Sequence, residues 1–381
     1  MENWTRFRGP NGTGHAETKG INPTRVRWKA TLPGEGHSSP VLSANAVFVT
    51  AAQNDKGKRH LVCLDAKTGK ERWRQSFDYK VYRTHEYNTA ASATPTTDAQ
   101  HVYALWPAPE GFVATAHTHD GKEVWRRDFG PFTTQHGGGS SPIVYKDTVI
   151  FAREPENGPG GLVCLDAKTG KDRWEMKRPS KDAPYMVPIL YQPDKSGPAQ
   201  LIFTSTAHGI TSVEADTGKL AWELKGVFKL RCVGSPILAN GLIVTSSGVG
   251  NGDRLLVAVR PGPTPEVIWK MVRGAPYVPS PLAVNDLLFL WGDGGIVSCV
   301  KPETGEQIWQ ERAGGNYFSS PVFSEGKLWS VNTKGELVVI DAGRTFKVVA
   351  RQDLGEPSHA TPAFGPDTLY VRTLTQLHAI G

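Results

Sequence analysis

The 381-residue sequence contains little that could build a metal centre, a disulfide framework or a membrane span. Only four cysteines occur, with no Cys-x-x-Cys pair and no Cys/His set at metal-ligand spacing, which argues against zinc and iron–sulfur sites. No run of about 18 apolar residues is present, so no transmembrane helix is predicted, and the first residues lack the pattern of a signal peptide. Serine-hydrolase elbows and His-Glu-x-x-His motifs are also absent.

Charge is spread evenly along the chain. The formal net charge is +6, and no block of like charges interrupts the sequence. Nucleic-acid binding normally requires a concentrated basic patch. The sequence therefore predicts a solvated surface and no nucleic-acid partner.

The sequence is rich in internal repeats. Residues 61–73 and 162–174 are almost identical, and weaker copies occupy 213–222 and 300–309. Each copy combines alternating apolar and polar residues, an Asp-x-x-Thr-Gly turn and a closing tryptophan, which predicts a β-hairpin with one large aromatic at a fixed place. A lone hairpin cannot bury its apolar faces, so neighbouring copies must stack.

Two markers count the repeats. A small residue, usually polar, followed by proline begins a strand at Pro40, Pro95, Pro142, Pro188, Pro236, Pro281, Pro321 and Pro362. The tryptophans are Trp28, Trp73, Trp125, Trp174, Trp222, Trp269 and Trp309, and we assign them to packing between repeats. Eight proline marks predict an all-β, eight-bladed β-propeller.

The ends of the chain complete this picture. Residues 1–24 are interpreted as an irregular N-terminal arm, and residues 25–381 as a single propeller domain. The last repeat has only three strands, so the strand around Trp28 is predicted to close that blade. The next tryptophan position falls at Val349 or Ala350, in a repeat that has lost its aromatic.

Three of the cysteines share one position in their repeats. Cys63, Cys164 and Cys299 each lie on a third strand, and equivalent positions in different blades are far apart. We therefore expect free, buried cysteines, not disulfides.

The repeat motif resembles a known family. Ala-x-Asp-x-x-Thr-Gly-x-x-x-Trp, present in recognisable form at 64–73, 165–174 and 213–222, is similar to the tryptophan-docking motif of the eight-bladed quinoprotein-like (PQQ-like) propellers. That superfamily includes pyrroloquinoline-quinone (PQQ) dehydrogenases and the non-enzymatic outer-membrane assembly factor BamB. The opening Trp-x-x-Phe-Arg-Gly-Pro-Asn-Gly also looks like the start of exported planctomycete-type repeat proteins, which implies a periplasmic or secreted location. The adjacent cysteine pair of the quinoprotein alcohol dehydrogenases is absent here, as is the N-terminal cysteine of a lipoprotein.

Titratable and aromatic side chains are predicted to concentrate on one face of the ring. The loops before the proline marks and those between second and third strands lie opposite the Thr-Gly turns, around the channel mouth. The ligand-binding candidates on this face are His37, His85, Tyr87, His136, Arg153, His208, Arg231, Tyr277, Trp291, Asp293, Tyr317, His359 and Arg372. His37 and His359 should be neighbours after ring closure, and Trp291 with Asp293 could form a stacking floor beside a base.

These residues suit a protein partner, a glycan or an anionic small molecule at the mouth. The leading hypothesis is a monomeric binding or scaffold propeller without assured cofactor or resident metal. One alternative is a dehydrogenase using PQQ and Ca²⁺. Another is a carbohydrate lyase or hydrolase that uses the His, Tyr and Arg side chains as base and neutralising cation.

Overall fold

The computed structural model describes residues 4–193, 197–250 and 252–381. They form β-strands joined by turns and loops, with two short 3₁₀ helices at Pro10–Gly12 and Asn54–Lys56. Among the described residues, no helix has the length and apolar character needed to cross a membrane.

Eight four-stranded antiparallel sheets make up the fold. Strands are numbered along the chain from β1 (Val26–Thr31), and blades are numbered from the first complete sheet. Blade 1 holds β2 (Val41–Ser43), β3 (Ala46–Gln53), β4 (Lys58–Asp65) and β5 (Glu71–Asp78). Blade 2 holds β6 (Thr96–Thr97), β7 (His101–Ala108), β8 (Gly111–Thr118) and β9 (Glu123–Asp128). Blade 3 holds β10 (Ile143–Tyr145), β11 (Thr148–Arg153), β12 (Gly158–Asp166) and β13 (Asp172–Ser180).

The remaining blades repeat this order from the innermost strand outwards. Blade 4 holds β14 (Ile189–Tyr191), β15 (Gln200–Ser205), β16 (Gly209–Glu214) and β17 (Leu220–Leu224). Blade 5 holds β18 (Ile237–Ala239), β19 (Leu242–Gly248), β20 (Arg254–Arg260) and β21 (Glu266–Met271). Blade 6 holds β22 (Leu282–Val284), β23 (Leu287–Trp291), β24 (Ile296–Val300) and β25 (Gln307–Arg312). Blade 7 holds β26 (Val322–Ser324), β27 (Lys327–Val331), β28 (Glu336–Asp341) and β29 (Val348–Asp353). Blade 8 holds β30 (Ala363–Phe364), β31 (Leu369–Arg372) and β32 (Gln376–Ile380).

Blade 8 takes its outermost strand from the other end of the chain. Strand β1 pairs antiparallel with β32, with Trp28 opposite Ala379 and Thr31 opposite Gln376. The predicted closure by the Trp28 strand is therefore confirmed, as are the all-β class and the count of eight blades.

The repeat tryptophans join successive blades. Each follows the same register beside a bulge, for example Trp73 opposite Cys63 and Trp174 opposite Cys164. The indole of Trp125 donates to the carbonyl of Ala167 in the next blade at 2.8 Å. Its ring lies against Gly170, which has φ 68° and where a Cβ would come within 2.7 Å of the indole. The Thr-Gly pair thus gives both the turn and the space for the ring.

Two blades depart from this pattern. Trp222 donates instead to the side chain of Gln200 in its own blade, at 3.1 Å, and the following turn at 260–266 has no Thr-Gly. In blade 7, Ala350 pairs with Val339 at the tryptophan position, as the repeat spacing predicts.

All four cysteines are free and buried. Burial raises the pKa of the Cys63 thiol to about 12 and that of Cys299 to about 11. The prediction of unpaired core cysteines is confirmed.

The residues that precede the proline marks bind the blades to one another around the channel. In seven of these eight residues the backbone N–H donates to the side-chain hydroxyl of the counterpart in the next blade. The donor–acceptor pairs are Ser39–Thr94, Thr94–Ser141, Val187–Ser235, Ser235–Ser280, Ser280–Ser320, Ser320–Thr361 and Thr361–Ser39, at 2.9 to 3.0 Å. The ring of hydroxyls is interrupted only between blades 3 and 4, where the counterpart of Ser141 is Val187 and has no hydroxyl.

The N-terminal arm covers the end of the channel at which the innermost strands finish. The guanidinium of Arg6 donates to the carbonyl of Pro188 in blade 4 at 2.6 Å, and Arg8 donates to Pro281 in blade 6 at 2.9 Å. Both arginines are buried, and burial lowers the pKa of each to about 9. The arm is therefore part of the packed structure.

Candidate functional site

The opposite end of the channel, the mouth, is covered by the loop between blades 1 and 2. In this loop the His85 ring lies 4.8 Å from His136, before blade 3, and the Tyr87 ring lies 5.1 Å from Phe318, before blade 7. In a ring of eight, blades 3 and 7 lie opposite each other. A loop that contacts both must cross the channel axis.

His37 and His359 meet beneath this loop, as the ring closure predicts. Their imidazoles stack with centroids 4.1 Å apart, and a ring nitrogen of His359 lies 3.2 Å from the carbonyl oxygen of Tyr87. Burial, followed by the charges of His359 and Arg372, holds the pKa of His37 well below its usual value. Burial also lowers the pKa of His359. Both shifts disfavour the charged imidazoles, and His359 anchors the loop through the carbonyl of Tyr87.

The structure therefore brings five of the predicted residues into one continuous cluster. We call His37, His85, Tyr87, His136 and His359, together with Phe318, the mouth cluster. Tyr87 and His85 are the exposed members of the cluster, and 54% of the Tyr87 surface is accessible. The cluster offers aromatic and imidazole surface above a closed channel.

A second group lies between blades 3, 5 and 6 and is already paired. Arg231 makes a bidentate contact with Glu156, at 3.0 Å to each carboxylate oxygen, and also donates to Gln135 at 2.7 Å. Asp293 accepts the backbone N–H groups of Tyr277 and Val278 at 2.8 and 3.1 Å. The cation and the carboxylate that a lyase would need are each engaged by the protein itself.

Three predicted residues lie inside the packing and not at the mouth surface. The side chain of Trp291 is fully buried, with its ring 5.1 Å from the equally buried Tyr317. Arg372 is buried in the wall, where it donates to the hydroxyl of Ser38 at 2.5 Å. Trp291 therefore does not present the expected stacking floor, because a residue at the second-strand end of a blade packs against the neighbouring blade.

The last two predicted residues brace loops. Arg153 donates to the carbonyls of Phe129 and Pro131 at 2.8 and 3.2 Å. A ring nitrogen of His208 lies 2.8 Å from the carbonyl oxygen of Pro179, and the other lies 3.2 Å from a carboxylate oxygen of Glu223. Both side chains are partly accessible, but their polar groups hold backbone in place.

The carboxylate of Asp293 does not fit the calcium site that a quinoprotein dehydrogenase would need. Calcium requires several oxygen ligands around one point, whereas the carboxylate of Asp293 is occupied by backbone N–H groups and by Arg254 at 3.2 Å. No group of three or more His, Cys, Asp or Glu residues in the described parts of the chain could hold a metal ion.

Sequence reasoning missed three contributors. Phe318 directly follows the predicted Tyr317, and Glu156 lies three residues after the predicted Arg153. Neither carries a repeat signal, because the contacts of each depend on loop geometry. The third is the arm, which the sequence predicts only as irregular, although its two arginines separated by one residue and its Gly-Pro-Asn-Gly turn are a signal for a packed segment.

Comparison with known proteins gives a consistent result. The family model described as "Outer membrane protein assembly factor BamB" matches residues 17–185 and 193–373. The curated BamB of Yersinia pestis is 22% identical over 380 aligned positions, covering 92% of this chain and 87% of that protein.

Solved structures show the same fold. BamB from Moraxella catarrhalis aligns with a TM-score of 0.64 at 12% identity, covering 93% of this chain and 97% of the other. Quinohemoprotein alcohol dehydrogenase from Comamonas testosteroni aligns with a TM-score of 0.73 at 13% identity, covering 100% of this chain and 80% of the other. The structural likeness alone does not separate a scaffold from an enzyme, but the family model spans nearly the whole propeller. The chain belongs to the BamB-like family of PQQ-repeat propellers.

Proposed function

We propose that this chain is an extracytoplasmic protein-binding scaffold that takes part in outer-membrane protein assembly. It binds its partner through the mouth cluster and the exposed loop around it. The observation that carries the proposal is Tyr87, which is 54% exposed and stands on a rigid base of Phe318 and His359. Exposed tyrosines on rigid supports are typical anchors of protein interfaces, because they bury much area at low entropic cost.

The surroundings of Tyr87 support the same function. Arg83, His85 and Glu86 in its loop are also exposed, which gives a polar rim around an aromatic centre. The channel beneath is covered, and the Arg231 guanidinium and the Asp293 carboxylate are paired within the protein. A flat, rimmed patch of this kind suits a protein surface better than a small substrate.

The test places a photo-crosslinking amino acid at Tyr87 in the native host. The matched control is the same amino acid at Leu220, which is 50% exposed on the outer strand of blade 4. We expect Tyr87 to crosslink to a protein of the outer-membrane assembly machinery and Leu220 not to do so. Crosslinks from both positions, or from neither, would contradict the proposal.

Binding measurements with purified components then show how much Tyr87 contributes to the affinity. Tyr87→Ala should weaken binding to the captured partner about 30-fold, which corresponds to an interface hot spot of about 2 kcal/mol. Leu220→Ala should leave the affinity unchanged. An equal effect of the two substitutions would move the interface away from the mouth.

A further inference from the structure

The innermost strand of each blade presents one peptide unit to the channel near the arm. In blade 5, Asn240 and Gly241 have φ values of 46° and 78°, as in a type I′ hairpin. Such a two-residue turn closes on a hydrogen-bonded pair, Ala239 with Leu242, so the next pair, Leu238 with Ile243, is the non-hydrogen-bonded one. The N–H and C=O of Leu238 therefore face the channel.

In other blades the arm hydrogen-bonds to the equivalent backbone N–H and C=O groups, which belong to the residue two positions after the proline mark. In blade 1 the N–H of Leu42 donates to the carbonyl of Trp4 at 2.8 Å. In blade 7 the N–H of Phe323 donates to Gly14 at 2.7 Å, and its carbonyl accepts from Ala16 at 2.9 Å. The arm is bound there like one more strand.

A side chain does the same in blade 4. The Asn11 amide donates to the carbonyl of Leu190 at 2.8 Å and accepts its N–H at 2.7 Å. In blade 6 a ring nitrogen of His15 lies 2.6 Å from the carbonyl oxygen of Ala283. In blades 4 and 7 the channel-facing peptide unit thus binds a partner that both donates and accepts.

Blade 5 lies between these last two contacts and is left uncovered. The arm passes from Asn11 on blade 4 to His15 on blade 6, and none of its described residues hydrogen-bonds to Leu238. A cavity of about 360 Å³ occupies the gap, lined on its apolar side by Ile189, Ile237 and Leu238. Leu238 is 36% exposed, so the cavity opens to solvent.

We propose that this cavity binds a short extended segment of another polypeptide. The segment forms with Leu238 the pair of backbone hydrogen bonds that Asn11 forms with Leu190, and it places one apolar side chain between Ile189 and Ile237. A peptide bond both donates and accepts, as the site requires. No carboxylate or lysine lines the cavity, so recognition is by backbone and apolar contact. The site lies at the end of the channel opposite Tyr87 and does not depend on the proposed function of the mouth.

The test uses a capped tripeptide, acetyl-Ala-Leu-Ala-amide, titrated into isotopically labelled protein and followed by NMR. We expect saturable shifts of the Ile237 and Ala283 amides. An analogue methylated at its amide nitrogens keeps the side chains but lacks backbone donors and should not bind, because the bridge to the Leu238 carbonyl needs a donor.

Three variants separate backbone from side-chain effects. Leu238→Pro removes the channel-facing N–H together with the leucine side chain and should abolish the shifts, whereas Leu238→Ala, which shortens the side chain but keeps the N–H, should retain them. Val144→Pro, at the same position of blade 3 and away from this cavity, is the matched control and should bind the tripeptide normally. If Leu238→Pro does not fold, Ile237→Phe fills the cavity and should prevent binding.

Several results would overturn the proposal. They are the absence of saturable shifts up to the solubility limit of the tripeptide, equal binding of the methylated analogue, and unchanged binding by both Leu238→Pro and Ile237→Phe. Shifts confined to the mouth cluster would also exclude this cavity as the site.

Discussion

The ring of hydroxyls around the channel allows one hydrogen bond to be removed without changing side-chain shape. Thr94 and Thr361 are nearly fully buried, and each Oγ1 accepts the backbone N–H of the preceding blade, at 2.9 and 3.0 Å. Replacing either with valine keeps the volume but leaves that N–H without an acceptor. A buried unpaired donor costs about 1–3 kcal/mol.

A control residue isolates this cost. Thr245 is fully buried, and its hydroxyl has no hydrogen-bond partner among the described residues. Thr245→Val makes the same chemical change without breaking a bond, so it should be neutral or stabilising. The difference in the free energy of unfolding between Thr361→Val and Thr245→Val should be about 1–3 kcal/mol.

Urea denaturation is the suitable assay. For a chain of 381 residues, 1 kcal/mol shifts the melting temperature by only about 1 °C, because the unfolding entropy scales with length. The reverse change, Val187→Thr, supplies the hydroxyl missing opposite Ser141 and should stabilise by about 1 kcal/mol. If Thr94→Val and Thr361→Val cost no more than Thr245→Val, the hydroxyl ring does not hold the blades together and the reasoning is refuted.

Further predictions concern a buried ion pair, acid stability and the quinone alternative. Glu154 and Arg178 form a fully buried bidentate pair at 2.8 and 2.9 Å. Glu154→Gln should therefore lower the free energy of unfolding, measured in urea, by about 3–5 kcal/mol. The apolar double variant Glu154→Leu with Arg178→Met should recover most of this loss. Hydrogen bonds from Arg72 and then from Thr68 lower the pKa of Asp65 to about 2. The contribution of Asp65 to stability is therefore present above about pH 4 and lost as the pH falls through 2, and Asp65→Asn should flatten this part of the acid unfolding curve. Titration with PQQ and Ca²⁺ up to about 1 mM should give no saturable change in visible absorbance or in melting temperature. Saturable binding that is lost in Asp293→Asn would instead establish a quinoprotein.

The repeats made the fold predictable because each signal is local. The Thr-Gly turn, the tryptophan and the proline mark lie within one hairpin, and their spacing along the chain sets the number of blades. Ring closure followed from one missing strand and one surplus strand, and the contact between His37 and His359 followed from closure.

The site was less predictable because facing the mouth is not the same as being free to bind. Arg231 lies on the predicted face but pairs with Glu156, a residue 75 positions away with no repeat signal. Trp291 ends a second strand as expected, yet the neighbouring blade covers it completely. The exposure of a loop side chain depends on how neighbouring loops fold over it. That packing leaves no periodic signal in a single sequence.

Both ends of the channel are covered by the chain, and this limits the chemistry that the propeller can offer. At one end the arm uses Arg8 to bind strand carbonyls, and at the other the Tyr87 loop rests on the histidine pair. The polar groups of Arg8 and His359 are therefore engaged in fixing these two covers. The exposed ring of Tyr87 and the channel-facing peptide unit of Leu238 stay available, and another polypeptide can contact both. A rigid ring with two polypeptide-binding ends would hold two protein segments at a fixed separation, which is a property of a scaffold and requires no catalytic group.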